Sequence, residues 1–126
     1  MLVDTDVLIW VSRNNLKAYK EIEAIPSPAM SVVTYMEILY GIRSKAELKK
    51  WHDYIRGSNF RIISISEEIS NKAQFWVEEY LFTHRLTLSD ALIAATANLE
   101  GLDLLTGNYA DFHYVKQLSL KVFKHV

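Results

Sequence analysis

The sequence predicts an α/β layered domain built on a mainly parallel sheet. Three observations carry that expectation. Five short apolar runs of β type recur along the 126 residues. Stretches with helical periodicity separate them, which is the alternation expected of a parallel sheet with helical crossovers. One helical stretch, "SDALIAATANLEG", is apolar on nearly every side, as a helix packed flat against a sheet must be. The length fits one domain over 1–126, enough to bury about two-thirds of the surface an unfolded chain exposes.

In chain order, the first strand falls at 1–4, where Leu2 and Val3 precede Asp4. "LKAYKEIEAIPSP" follows as an amphipathic helix that its two prolines terminate. The short run "AMSVV", ending in two β-branched valines, predicts a strand at 29–33, and "AELKKWHDYIRG" a helix ending at Gly57. "FRIISI" is the strand at 60–65. Behind it, Ser66 with Glu67 and Glu68 supplies a helix start, and Ile69, Ala73, Trp76, Val77, Tyr80 and Leu81 fall on one helical face. The buried helix stops at Gly101. Strands at 102–105 and 120–124 complete the sheet.

Composition narrows the function. The absence of cysteine excludes disulfides, thiolate catalysis and Cys-ligated zinc, and it fits a reducing compartment, so a cytoplasmic location is expected. No uncharged apolar run reaches the ~18 residues of a membrane span. The amino terminus carries Asp4 and Asp6 where a signal peptide would be basic. A net charge of -1 argues against a generally basic nucleic-acid coat and leaves room for a local basic patch.

Ligands of a parallel sheet sit at the carboxyl ends of its strands. Asp4 lies where the first strand ends, Glu37 in the first turn after the second, Asp90 at the start of the buried helix, and Asn108 with Asp111 after the fourth strand. Four distant segments would then deliver oxygen ligands to one edge. Each acid also has a plainer explanation. "TYME" (Thr34 to Glu37) and "TLSD" (Thr87 to Asp90) both have the form of a capping box. Asp4 can cap a helix starting at Thr5 with Asp6 in its first turn, and Asp111 can be a turn residue. Those explanations account for the acids one by one and leave their common edge unexplained. Carboxylates within ~4 to 6 Å of one another repel unless a cation compensates, and oxygen-only ligands favour Mg²⁺ or Mn²⁺. Such ions serve phosphodiester cleavage. His52, His84, His113 and His125 lack the spacing of a zinc pair and are expected at the surface.

At these residues the chain resembles the PIN-domain nucleases, and within them the VapC-like toxins of toxin-antitoxin pairs. The matching stretches are "LVDTDVLIW", "SVVTYMEILYGIR", "LSDALIAATANLEGLDLLTGNYADF" and "LKVF", in the family's order and spacing. The resemblance implies a three-layer α/β/α fold and Mg²⁺- or Mn²⁺-dependent endoribonuclease activity. It carries metal-ligand roles to Asp4, Glu37 and Asp90. The fourth family position, often Asp, falls on Asn108, whose neutral carbonyl oxygen lowers the charge of the site, while Asp111 matches the acid that commonly follows before Phe112. Asp6, at a position where the family usually has a small polar residue, and the hydroxyls of Thr5 and Thr106 take supporting places around the ligands. A homodimer and a small antitoxin that blocks the acidic groove are further implications.

Arg43, Lys45, Lys49, Lys50 and Arg56 follow Glu37 closely and are candidate phosphate contacts, although the same run suits a solvated helix face. Tyr35, Tyr40 and Tyr109 are candidates for stacking on bases. Two other functions share these features. One is a non-catalytic interaction domain of the same fold, suggested by Asn108. The other is a receiver-like phosphoacceptor, for which "FRIISIS" lacks the needed Asp.

Overall fold

The computed structural model describes residues 1–126. Its strands are β1 (Leu2–Val3), β2 (Ala29–Ser31), β3 (Arg61–Ile63), β4 (Leu104–Thr106) and β5 (Leu120–Val122). They form one sheet in the order β3-β2-β1-β4-β5, with every neighbouring pair parallel. The helices are α1 (Thr5–Ser12), α2 (Leu16–Glu23), α3 (Val32–Tyr40), α4 (Lys45–Gly57), α5 (Glu67–Glu79), α6 (Leu88–Leu99) and α7 (Tyr109–Phe112). No helix is long and apolar enough to cross a membrane.

Consecutive strand residues point to opposite faces, and both faces here are apolar. Leu2, Ala29 and Leu104 join Ile69, Ala73 and Trp76 of α5 and Ala91 and Ala94 of α6 in one buried cluster. Val3, Met30 and Leu105 join Val7, Leu8 and Val11 of α1, Ala18 and Ile22 of α2 and Trp51 of α4 in a second. The result is the three-layer α/β/α arrangement. Small side chains bring α6 close to the sheet: Ala91, Ala94, Ala95 and Ala97 are fully buried.

Helix starts follow local chemistry. Asn15, Ser44, Ser66 and Thr87 each accept a backbone N–H three residues on, from Ala18, Glu47, Ile69 and Asp90. The end of α6 is a Schellman closure, with Gly101 at φ 66° and the Leu102 N–H donating to the Ala97 carbonyl at 2.9 Å. Two expectations need correction. The strand expected at 29–33 stops at Ser31, which turns the chain into α3 by accepting the Val33 N–H, so Val32 and Val33 are helical. Glu37 therefore lies in the second turn of α3, and Thr34 is no cap. Leu81 lies beyond the end of α5 and is 46% exposed, so it is off the buried face on which its spacing put it.

Because α6 has no slack against the sheet, Ala94→Leu should lower unfolding free energy by about 1–3 kcal/mol in urea titration. An unchanged midpoint would mean that the contact is looser than the burial indicates.

Candidate metal centre at the carboxyl edge

β1 is the middle strand, and the connections diverge around it. The chain steps from β1 to β2 and β3 on one side, then crosses to β4 and β5 on the other. A parallel sheet leaves a crevice at the carboxyl end of such a divergence. Asp4 stands there as the cap of α1, directly after β1. The segment after β4 brings Gly107, Asn108 and Asp111, α3 brings Glu37, and the first turn of α6 brings Asp90.

Asp4 is 3% exposed. Its Oδ1 accepts the Thr5 N–H at 2.8 Å and its Oδ2 accepts the Thr106 hydroxyl at 2.7 Å. The Thr106 oxygen in turn accepts the Asn108 N–H at 3.0 Å, which ties the start of the post-β4 segment to Asp4. Burial first, and then the charge of Asp6, push the Asp4 carboxyl up to about 7 against the pull of those two hydrogen bonds.

Asp6 is also held above the usual carboxylate range, mainly by burial. Its Oδ2 accepts the Gly107 N–H at 2.9 Å, while its Oδ1 is buried without a partner. A Cβ at Gly107 would stand 2.6 Å from Asp6 Oδ2, so any larger residue there would have to displace the Asp6 carboxylate.

Glu37 is exposed, and its Oε1 accepts the Thr5 hydroxyl at 2.7 Å. Thr5 Oγ1 also lies 3.0 Å from the Thr34 hydroxyl. Since Thr5 has one hydroxyl proton, Thr34 supplies the proton between the two. Asp90, whose N–H donates to Thr87 Oγ1 at 3.2 Å, is pushed up to about 6 by burial and then by the charges of Asp111, Glu37 and Asp6.

The charges of Asp6, Glu37, Asp90 and Asp111 thus bear on Asp4 or Asp90 across one edge. None is in a salt bridge: the ion pairs are Lys49–Asp53, Arg56–Asp53 and Lys121–Glu21. Asp4 caps α1 as expected and Thr87 caps α6 by accepting the Asp90 N–H, but the Asp90 carboxylate makes no bond back to the Thr87 N–H, and Glu37 has no capping role. Asn108 begins α7 without a side-chain capping bond. Arg43, Lys45 and Lys49 are exposed and make no ion pair with the edge. Lys49 holds Asp53 at 2.9 Å, and the Arg43 N–H donates to Glu47. Sequence reasoning missed Gly107 and Thr34. The "TG" directly after a strand was the available signal for Gly107, since a glycine there often marks close approach of another group.

A divalent cation fits this donor set on chemistry: the ligands are all oxygen, no cation offsets their charge, and one buried carboxylate oxygen has no partner. No three His, Asp or Glu side chains stand close enough together in this arrangement to hold an ion.

Comparison with known proteins agrees with this architecture. A family model described as the PIN domain matches residues 1–117. Ribonuclease VapC10 of Mycobacterium tuberculosis is 33% identical over 122 residues, covering 94% of this chain and 90% of that protein. A toxin-antitoxin complex from Klebsiella pneumoniae contains a chain of 32% identity and TM-score 0.76, with 99% of this chain and 97% of that one covered. VapBC2 from Rickettsia felis bound to a promoter DNA fragment has TM-score 0.79 at 21% identity, with 98% of each chain covered, a likeness of fold.

The raised carboxyls set a pH dependence. A group whose folded pKa lies above its unfolded value contributes stability at low pH and loses it as pH rises through the folded value. In chelator, Asp4→Asn should therefore match the parent near pH 4 and melt progressively higher than it between pH 4 and 8, by several degrees at pH 8. A variant that melts lower than the parent across that range would show that the Asp4 charge is not under strain.

Proposed function

Because the chain belongs to the PIN domain family, we propose that it is a divalent-metal-dependent endoribonuclease acting as the toxin of a type II toxin-antitoxin pair. The observation that carries this reading is that carboxylates from β1–α1, α3 and α6 face one edge with no cation among them, where burial first and neighbouring charge second hold Asp4 and Asp90 above the usual carboxylate range. Asp4, Glu37 and Asp90 are the proposed ligands of Mg²⁺ or Mn²⁺, with Asn108 through its carbonyl oxygen and Asp111 completing the fourth position. Such an ion supplies an activated water and offsets charge on the phosphoryl oxygens.

The chain's own residues prepare the site. Thr106 and the Thr5 N–H fix both oxygens of Asp4, the Thr5 hydroxyl fixes Glu37, and the Gly107 N–H fixes Asp6 behind them. Ligands oriented in this way lose little freedom when an ion arrives. Arg43, Lys45 and Lys49 are proposed phosphate contacts at the margin. The Lys49–Asp53 bridge is solvent-exposed and therefore weak, so a phosphate can displace it.

A small antitoxin and a second copy of the chain are the proposed protein partners. Exposed apolar side chains such as Tyr40 at 92% and Leu88 at 76% support a surface that others cover. A receiver-like phosphoacceptor would need a lysine beside its aspartate, and Asp4 has none.

Single-stranded RNA should be cut in Mg²⁺ or Mn²⁺ and left whole in chelator. Asp4→Asn and Asp90→Asn, folded by circular dichroism, should each lower the cleavage rate by a factor on the order of 10² or more. Undiminished cleavage by purified Asp4→Asn would remove the assignment.

A further inference from the structure

Beside the carboxylate edge lies a set of aromatic rings that the proposed chemistry leaves unused. His84 stacks on Tyr114 with centroids 3.9 Å apart and planes 10° apart. Tyr109 stacks on His113 at 4.8 Å and 15°. The two stacks meet edge to face, with His113 and Tyr114 5.9 Å apart at 82°. Tyr80 braces them, edge-on to Tyr114 at 4.9 Å and donating its hydroxyl to the Tyr114 carbonyl at 3.3 Å.

Tyr80 and Tyr114 are half-buried against the core, whereas the outer rings are not core. Tyr109 is 55% exposed, and His84 and His113 are also exposed. They are nevertheless held in place. The Tyr80 carbonyl accepts the N–H groups of His84 at 3.0 Å and Arg85 at 2.9 Å, which fixes the loop after α5 against the rings.

The rings adjoin the acids. Tyr109 opens α7, the helix that carries Asp111. The Tyr114 phenol is held above its ordinary value first by burial and then by the charges of Asp90 and Asp111. Arg85, anchored to Tyr80 through its backbone, forms no ion pair with any acid.

We propose that the two stacks, ending in Tyr109 and His84, are a base-stacking platform that holds single-stranded RNA beside the carboxylate edge. The proposal rests on RNA being the substrate and adds how a strand is positioned. Stacking needs unpaired bases with free faces, which selects single strands over duplex. It tolerates every base, so the platform sets where the strand lies and not which base is read. Rings already locked against one another and against the Tyr80 loop lose little entropy on binding, so most of the stacking energy appears as affinity.

The test uses a short single-stranded RNA and fluorescence anisotropy in Mg²⁺, with Asp90→Asn present in every protein compared so that the strand stays whole during the measurement. Tyr109→Ala and His84→Ala should each weaken binding about ten-fold, within the range expected for loss of one base–aromatic stack, while Tyr109→Phe binds as the parent does. An abasic site scanned along the RNA should weaken the parent by a similar factor at one position. At that position Tyr109→Ala should lose nothing further. A merely structural ring would lower the melting temperature without this non-additivity. Parent-like affinity in both alanine variants, or additive losses at every abasic position, would overturn the proposal while leaving cleavage by the parent intact. If the parent neither binds nor cuts RNA, the ribonuclease reading falls and the platform falls with it.

Discussion

A carboxylate that is 3% exposed, held by one N–H and one hydroxyl and by no cation, is the constraint around which this molecule is arranged. Two neutral donors offset only part of the desolvation of a charged Asp4, as its raised proton affinity shows. Asp6 two residues away adds repulsion instead of relief. A fold assembled for stability alone would place a lysine or an apolar side chain there. Asp4 satisfies the start of α1, yet an exposed cap would serve that purpose without the penalty. The burial makes sense if the missing partner is an ion bound from solution.

The short strands serve this placement. With two or three residues each, a strand has barely paired before its chain turns into a helix. The turns after β1, β2 and β4 therefore stay within reach of one another, and hydrogen bonds join the three segments: the Asp4 carboxylate with the Thr106 hydroxyl, the Asp6 carboxylate with the Gly107 backbone N–H, and the Thr5 hydroxyl with the Glu37 carboxylate. Rigidity comes from below, where apolar clusters on both sheet faces fix β1 between β2 and β4. Sites built on such a base keep their geometry without relying on loop contacts.

The layered fold was readable because both sheet faces are covered, so each strand appears as a short unbroken apolar run, and because the caps Ser66 and Thr87 and the stop Gly101 follow local rules. What failed had non-local causes. Val32 and Val33 favour strand by side-chain shape, but the end of the sheet at Ser31 overrules them. Thr34 to Glu37 copies the capping pattern of Thr87 to Asp90, and only the position of the strand end distinguishes the two. The contact of Asp6 with Gly107 spans 101 positions, beyond any local pattern. Tyr109 is legible in the sequence as one of three stacking candidates, with Tyr35 and Tyr40, whereas its relation to His113, Tyr114 and His84 exists only once the chain has folded.

A crystal grown with Mn²⁺ and measured at the manganese absorption edge tests the central claim most directly. The account predicts one or two anomalous peaks with Asp4, Glu37 and Asp90 oxygens at about 2.0–2.3 Å. Peaks elsewhere on the protein, or none beside an Asp4 still bound only to Thr5 and Thr106, would contradict it.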